Sequence, residues 1–206
     1  MNIIRLQAGI YAVNCYIVYS KNTMDGIVVD PGGDAEAIKN YIEENNISLK
    51  SIVLTHGHGD HIGGVKELKE YYNVPVFIHE DDAEMLEDCS KNLSSSMAIG
   101  CVELTPDGLL NDNDIIEVGD LEVLILHTPG HTKGGICLKI KDHLISGDTL
   151  FNSSIGRTDL YGGNFDTLIN SIKTKLLVLP EDTTVLPGHG QPTTIKAEKY
   201  GNTFLR

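Results

Sequence analysis

Apolar and polar positions along the chain follow first a strand-like and then a helical rhythm, and this order repeats in the second half. Asn2–Leu6 and Ala12–Tyr19 carry apolar, β-favouring residues. Gly26–Val29 is a short apolar run that stops at Asp30-Pro31-Gly32-Gly33, where proline and paired glycines enforce a sharp turn. Asp34 is expected to cap a helix from Ala35 to about Glu44, with Ala37, Ile38, Tyr41 and Ile42 at helical spacing. Ser51–Leu54 is a buried strand that ends in Thr55-His56-Gly57-His58-Gly59-Asp60-His61. A helix over Gly64–Tyr72, a strand over Val76–His79 and a short acidic helix from Asp81 to about Glu87 follow. Residues 88–106 have no clear period and include three consecutive serines. Loops of that length are uncommon without a function, so a lid or a partial helix is expected there.

Strands are predicted at Asp114–Val118, Leu121–His127, Gly135–Ile140 and His143–Ser146, and a glycine-rich loop at Gly147–Gly163. The stripe Leu168, Ile169, Ile172, Leu176 and Leu177 predicts a helix from about Asp166 to Leu177. Thr184–Leu186 is a last strand, ending at Pro187-Gly188-His189-Gly190, and a closing helix begins near Thr194. Periodicity alone supports a mixed α/β chain. Two β-rich then helical halves suggest two sheets face to face with helices outside, a four-layer αββα sandwich. A chain of 206 residues fits one domain, 1–206.

Hydrophobic residues make up 41% and charged residues 22%, a globular balance able to bury a sizeable core. The net charge of −13 opposes binding to nucleic acid, whose recognition rests on neutralising phosphates. It also repels small anions unless the site is locally cationic, as bound divalent metal would make it. No secretory leader and no membrane span stand out, so a cytoplasmic protein is expected. Cys15, Cys89, Cys101 and Cys137 form no CxxC pair, so reduced thiols, mostly in core positions, are expected. The oligomeric state is not legible.

Seven residues carry the chemistry: His56, His58, Asp60, His61, His131, Asp148 and His189. They fall in turns at predicted strand ends with glycine nearby, and glycine lets backbone approach a ligand closely. Four potential ligands within His56–His61 cannot all aim at one ion. Alternation divides them, His56 and His58 toward one point, Asp60 and His61 toward another. A mixed His/Asp set suits a transition metal rather than calcium.

Thr55–His61 resembles the THxHxDH signature of the metallo-β-lactamase superfamily. The resemblance continues through Asp30, His131 in Thr128-Pro129-Gly130-His131-Thr132, Asp148 in Ser146-Gly147-Asp148-Thr149, and His189 in Pro187-Gly188-His189-Gly190. Gly147–Phe151 and Ser154–Leu160 are most similar to short glyoxalase II-like hydrolases of the hydroxyacylglutathione hydrolase type. The resemblance implies two divalent metal ions, zinc first, with iron or manganese compatible. His56, His58 and His131 would hold one, Asp60, His61 and His189 the other, and Asp148 would bridge them. Asp30 would orient the ligand loop by hydrogen bonds. A metal-bridging hydroxide would attack an acyl thioester, with Asp60 and Asp148 as the carboxylates of the catalytic centre.

The chain departs from full-length glyoxalase II enzymes, which carry a C-terminal helical domain, whereas 17 residues follow His189 here. Arg157 stands near the family's glutathione-contacting lysine and Asp159 near its tyrosine. Arg157 either meets a substrate carboxylate or pairs with Asp159. Tyr161 and Lys133 are further candidates for the pocket rim. Competing readings are a mononuclear iron persulfide dioxygenase, a β-lactamase, a nuclease and a non-catalytic metal-binding module. Charge argues against the nuclease, and the expected compartment and Asp60 argue against the β-lactamase.

Overall fold

The computed structural model describes residues 1–206. The first half comprises β1 (Asn2–Ala8), β2 (Val13–Tyr19), β3 (Asp25–Val29), α1 (Ala35–Glu44), β4 (Ser48–Val53), α2 (Gly59–Ile62), α3 (Val65–Tyr72), β5 (Val76–His79), α4 (Ala83–Leu86) and β6 (Gly108–Leu110). They build one six-stranded sheet in the order β1-β2-β3-β4-β5-β6. It is antiparallel from β1 to β3 and parallel from β3 to β6.

The second half contributes β7 (Ile115–Val118), β8 (Leu121–His127), β9 (Ile136–Ile140), β10 (His143–Gly147), the small hairpin β11–β12 (Leu150–Phe151 and Ser154–Ile155), α5 (Phe165–Ser171), β13 (Thr184–Pro187), β14 (Thr193–Thr194) and α6 (Ile195–Gly201). Its sheet runs β14-β13-β10-β9-β8-β7, with β10 and β13 parallel and the other pairs antiparallel.

Strand β2 shows why the sheets stack. Its sequence VNCYIVY is buried throughout, because both faces of the strand are covered. Cys15 and Ile17 face a core shared with Ala35, Ile38 and Ile42 of α1 and Val65 and Leu68 of α3. Tyr16 and Val18 face the opposite way, into a core with Val123 and Ile125 of β8, Leu138 and Ile140 of β9 and Leu186 of β13. A third cluster joins Cys137, Leu144 and Val185 on the far side of the second sheet to Leu168, Ile172 and Ile195. The layers are therefore helix, sheet, sheet, helix, the αββα sandwich that the two-half rhythm suggests. Side chains that alternate along a strand must find apolar partners on both faces, which is what a central layer demands.

Four local expectations need correction. Asp34 occupies the position before α1, but its carboxylate accepts from the Gly9 amide at 2.9 Å and makes no helix cap. Tethering the β1–β2 turn competes with capping for the same oxygens. The short strand β6 escaped notice, since three residues are too few to establish a period. Helix α5 continues past Ser171 as a wider π turn over Ile172–Leu176, so the predicted stripe is kept although the hydrogen bonding changes.

The cysteine expectation also fails in part. Residues 88–106 fold back on themselves with a 3-10 turn at Ser94–Ser96, bringing the Cα atoms of Cys89 and Cys101 to 5.3 Å, and the two are joined by a disulfide. Cys15 and Cys137 are free and buried. A disulfide is at home in oxidising surroundings, so cysteine usage no longer argues for the cytoplasm. No helix is long and apolar enough to cross a membrane.

Candidate metal centre

The seven sequence-predicted residues come together where the two sheets meet. His56 and His58 lie in the loop after β4, Asp60 and His61 on the single turn α2, His131 after β8, Asp148 after β10 and His189 after β13. Strands β8, β10 and β13 run in the same direction, so their ends deliver three of these residues to one edge. Backbone bonds between the halves seal that edge: Ile136 N donates to Thr55 O at 2.8 Å and Asn14 N to Gly188 O at 2.7 Å. The Tyr16 hydroxyl adds a bond to Pro187 O at 2.7 Å.

Two groups of donor atoms result. His56, His58 and His131 form one compact set, and Asp60, His61 and His189 the other. Asp148 stands between them, with Oδ1 3.5 Å from His61 Nε2 and Oδ2 3.8 Å from His131 Nε2 and 3.9 Å from His189 Nε2. His56 Nε2, His58 Nε2, His61 Nε2 and Asp148 Oδ1 are buried without a hydrogen-bond partner. Buried polar atoms nearly always have partners, so four orphans in one place are the mark of a site built for cations. The donor chemistry, imidazole with carboxylate, fits a transition metal.

Neighbours fix the ligand orientations. Asp30 Oδ1 accepts from Thr55 N at 2.7 Å, and its Oδ2 accepts from Thr55 Oγ1 at 2.6 Å. Asp30 Oδ2 also lies 2.9 Å from His61 Nδ1, so His61 donates there and keeps Nε2 free for an ion. His131 Nδ1 donates to Arg157 O at 2.7 Å, which turns the unprotonated Nε2 toward the site, where it lies 3.0 Å from His58 Nδ1. Thr55 Oγ1 sits 3.1 Å from His56 Nδ1. Gly188 shows the need for glycine: a Cβ there would collide with Asp148 Oδ1 and lie 2.8 Å from His61 Cε1. Gly147, the last residue of β10, has φ +48°, a conformation that glycine adopts without strain.

Burial dominates the electrostatics of the first group. It drives the pKa of His56 well below the ordinary value and that of His58 down to about 3, with neighbouring imidazoles reinforcing the effect. Burial also opposes charge on His61, but Asp148, Asp30 and Asp60 outweigh it and hold its pKa well above normal. Asp60 and Asp148 resist protonation for the complementary reason: burial favours their neutral form, and His61 more than reverses it. In the absence of metal His56 and His58 favour the neutral imidazole, whereas His61 favours the imidazolium beside the Asp60 and Asp148 carboxylates.

The three rim candidates are engaged with protein partners. Arg157 makes a two-pronged ion pair with Asp159, at 2.7 and 2.8 Å, on the exposed surface. The Tyr161 hydroxyl donates to Glu84 at 2.6 Å, and Lys133 lies 3.5 Å from the same carboxylate and over the Tyr161 ring. Lys91 completes this knot, 2.6 Å from Glu84.

Two features escaped the sequence reasoning. The disulfide-closed loop packs on α2: Gly59 N donates to Asn92 O at 2.7 Å, and Asn92 Nδ2 reaches Met85 O and Val102 O, both at 2.9 Å. Asp82 is completely buried and accepts from Gly57 N, Thr132 Oγ1 and Gly134 N. The sequence reading placed it only within a short acidic helix from Asp81 to about Glu87. A signal was present nonetheless, because Met85 and Leu86 follow at helical spacing and mark Asp82 as lying on the inner face.

The model of the metallo-beta-lactamase superfamily matches residues 8–189, nearly the whole chain. The chain belongs to the metallo-beta-lactamase superfamily. Within it, the chain is 40% identical to the probable metallo-hydrolase YqgX of Bacillus subtilis strain 168, over 98% of this chain and 96% of that one. It is 36% identical to the hydroxyacylglutathione hydrolase GloC of Haemophilus influenzae, over 100% and 98% of the two chains. Among solved structures, the BLEG-1 B3 metallo-beta-lactamase has a TM-score of 0.94 at 36% identity, covering 99% of both chains. TTHA1623 in a di-iron-bound form has a TM-score of 0.88 at 31% identity, covering 98% of this chain and 100% of that one. The chain is thus a metallo-hydrolase superfamily member with a His/Asp site suited to divalent metal.

Proposed function

We propose that this chain is a dinuclear metal-dependent hydrolase that cleaves an acyl thioester of a small thiol. The observation that carries the reading is the convergence of four buried, unpartnered donor atoms, on His56, His58, His61 and Asp148, with Asp148 between the two donor groups. His56, His58 and His131 would hold one cation, Asp60, His61 and His189 the other, and Asp148 would join them. Two such cations, when bound, would supply Lewis acidity that lowers the pKa of water toward about 7 and polarises a carbonyl.

The chain's own residues do the positioning. Asp148 and Asp60 bring negative charge to a cationic centre. Asp30 holds the His61 proton on Nδ1. A thiolate departs without an acid to protonate it, so a thioester suits a centre whose nearby Lys133 and Tyr161 are tied to Glu84. The likeness to the GloC hydrolase over the full chain supports this substrate class. Lys133, Tyr161 and Arg157 are the proposed contacts for the acyl carrier, and Arg157 would have to release Asp159 to serve.

A second reading is β-lactam hydrolysis, favoured by the likeness to the BLEG-1 structure. The deciding experiment measures metal content in protein purified without added metal, with turnover of S-lactoylglutathione, a β-lactam and glutathione persulfide. Two metals per chain, zinc, iron or manganese, with thioester cleavage dominant are expected. Faster β-lactam turnover would select the second reading. One iron per chain with oxygen uptake on the persulfide would replace hydrolysis by dioxygenation, and no turnover at all would leave a metal-binding module.

A further inference from the structure

We infer that Asp82 is a positioning residue that sets the geometry of the three-histidine group, by clamping together two loops that no strand pairing joins. The inference rests on the metal-site reading above and goes beyond it, since Asp82 touches none of the seven ligands. The His56-Gly57-His58 segment belongs to the first sheet and His131 to the second. The spacing between the imidazoles therefore depends on a bridge between the halves.

Beside the Ile136 N–Thr55 O backbone bond, Asp82 is the side-chain bridge that reaches the ligand loops themselves. Its Oδ2 accepts from Gly57 N at 3.1 Å, the peptide between the two histidines of the first loop. The same oxygen accepts from Thr132 Oγ1 at 2.7 Å, and Oδ1 accepts from Gly134 N at 2.6 Å, both from the loop that presents His131. All three donors come from residues next to or near a ligand, and the carboxylate has no solvent exposure. Hydrogen bonds to a charged acceptor are shorter and stronger than neutral ones, and planar carboxylate oxygens fix direction as well as distance. A glycine at 134 is required by the same arrangement, because a Cβ there would meet the Asp82 Cβ at 2.8 Å.

The loops are held a second time behind the carboxylate. His79, at the end of β5, stacks on His127, at the end of β8, with ring centroids 3.8 Å apart and planes within 19°. His79 Nδ1 accepts from Asp81 N, and His127 Nε2 donates to Lys133 O in the His131 loop. With Asp81, this pair forms a further compact His/Asp group outside the seven ligand candidates. Nearly parallel rings direct their in-plane lone pairs side by side rather than at one point, and both nitrogens named are already bonded to backbone. The stack is therefore a brace, and Asp82 supplies the direct link to the ligand loops.

The carboxylate's role is specific to one metal group. Asp60, His61 and His189 have no bond to Asp82. They are oriented by Asp30 and by the His189–Asp60 contact of 3.1 Å. Removing the clamp should weaken one metal equivalent and leave the other. Asparagine at position 82 keeps the shape but offers one acceptor and one donor group where the site provides three donors. A reduction of about 10–100-fold in affinity is the usual consequence of losing a partner behind a metal ligand.

The experiment is a zinc titration against a chromophoric chelator, with Asp82→Asn and Thr132→Val each compared with the unaltered chain. The Asp60→Ala background isolates the three-histidine group. The expected result is one equivalent weakened about 10–100-fold by Asp82→Asn, in both the full and the Asp60→Ala backgrounds. A smaller loss in the same equivalent is expected for Thr132→Val, which keeps the charge. Urea unfolding of the metal-free chains separates positioning from folding. If Asp82→Asn does not fold, Thr132→Val carries the test, and an unchanged affinity there overturns the inference. Equal loss of both equivalents, or no loss, overturns it too. Fewer than two equivalents in the unaltered chain would instead contradict the dinuclear reading, with the clamp still measurable on whatever the three histidines bind.

Discussion

Asp30 Oδ2 and His61 Nδ1 lie 2.9 Å apart in a completely buried contact, and the same carboxylate holds both the amide and the hydroxyl of Thr55. One side chain therefore fixes the imidazole of one donor group and the residue leading into the other. Asp30→Ala is expected to weaken metal binding about 10–100-fold, with Thr55→Val producing a smaller loss. Chelator competition measures both, and unchanged affinity in Asp30→Ala would remove its orienting role.

Asp60→Ala or His61→Ala should remove one metal equivalent and most hydrolase activity, because each takes a donor from the second group. Metal analysis after gel filtration, paired with thioester turnover, provides the check. Full turnover with a single equivalent would count against a two-ion reaction.

Acid should destabilise the metal-free chain between pH 7 and 5. His56 and His58 have depressed pKa values in the fold, so below about 6.5 the unfolded chain binds protons that the fold refuses. Their stabilising contribution is present above about 6.5 and is lost as pH falls toward about 3. His61 acts in the opposite sense, since its raised pKa favours the fold below about 6.5 and loses that contribution as pH rises. His79, whose pKa burial also lowers, adds to the side of His56 and His58, and a lower urea midpoint at pH 5 than at pH 7 is expected. Metal-loaded protein should lose activity through about pH 6, since imidazole must be neutral to ligate. A midpoint that holds or rises at pH 5 would contradict the assignment.

Thiol labelling should divide the cysteines into pairs. Burial pushes the Cys137 thiol up to about 11 and raises Cys15 further, so both should stay silent in folded protein near pH 8. Reduction should expose Cys89 and Cys101 to rapid labelling. Opening this 12-residue separation is expected to lower stability by about 3 kcal/mol, a Tm drop of roughly 6–12 °C. Four thiols reacting at one rate in folded protein would refute the division.

Much of this molecule was legible because its signals are local. The His56–His61 run and the Gly-flanked His131, Asp148 and His189 stand at strand ends that short-range pattern identifies, and the predicted bounds of Leu121–His127 match β8. What escaped depends on contacts distant in sequence. Asp34 bonds Gly9 rather than its own helix, Cys89 finds Cys101 through a fold-back, and Asp82 meets Thr132 fifty residues away. Arg157 had two partners open to it from sequence, a substrate carboxylate or Asp159, and its guanidinium rests on Asp159.

The bonds from Ile136 to Thr55 and from Asn14 to Gly188 cross from one sheet to the other at the rim of the donor groups. Neither half of the polypeptide owns a complete coordination shell: one brings His56 through His61, the other His131, Asp148 and His189. On the proposed reading, ion capture would report that the halves have docked. A fragment ending between β6 and β7 would lack His131, Asp148 and His189 and could not close around a cation, and ions bound as proposed would act as rivets between the two halves.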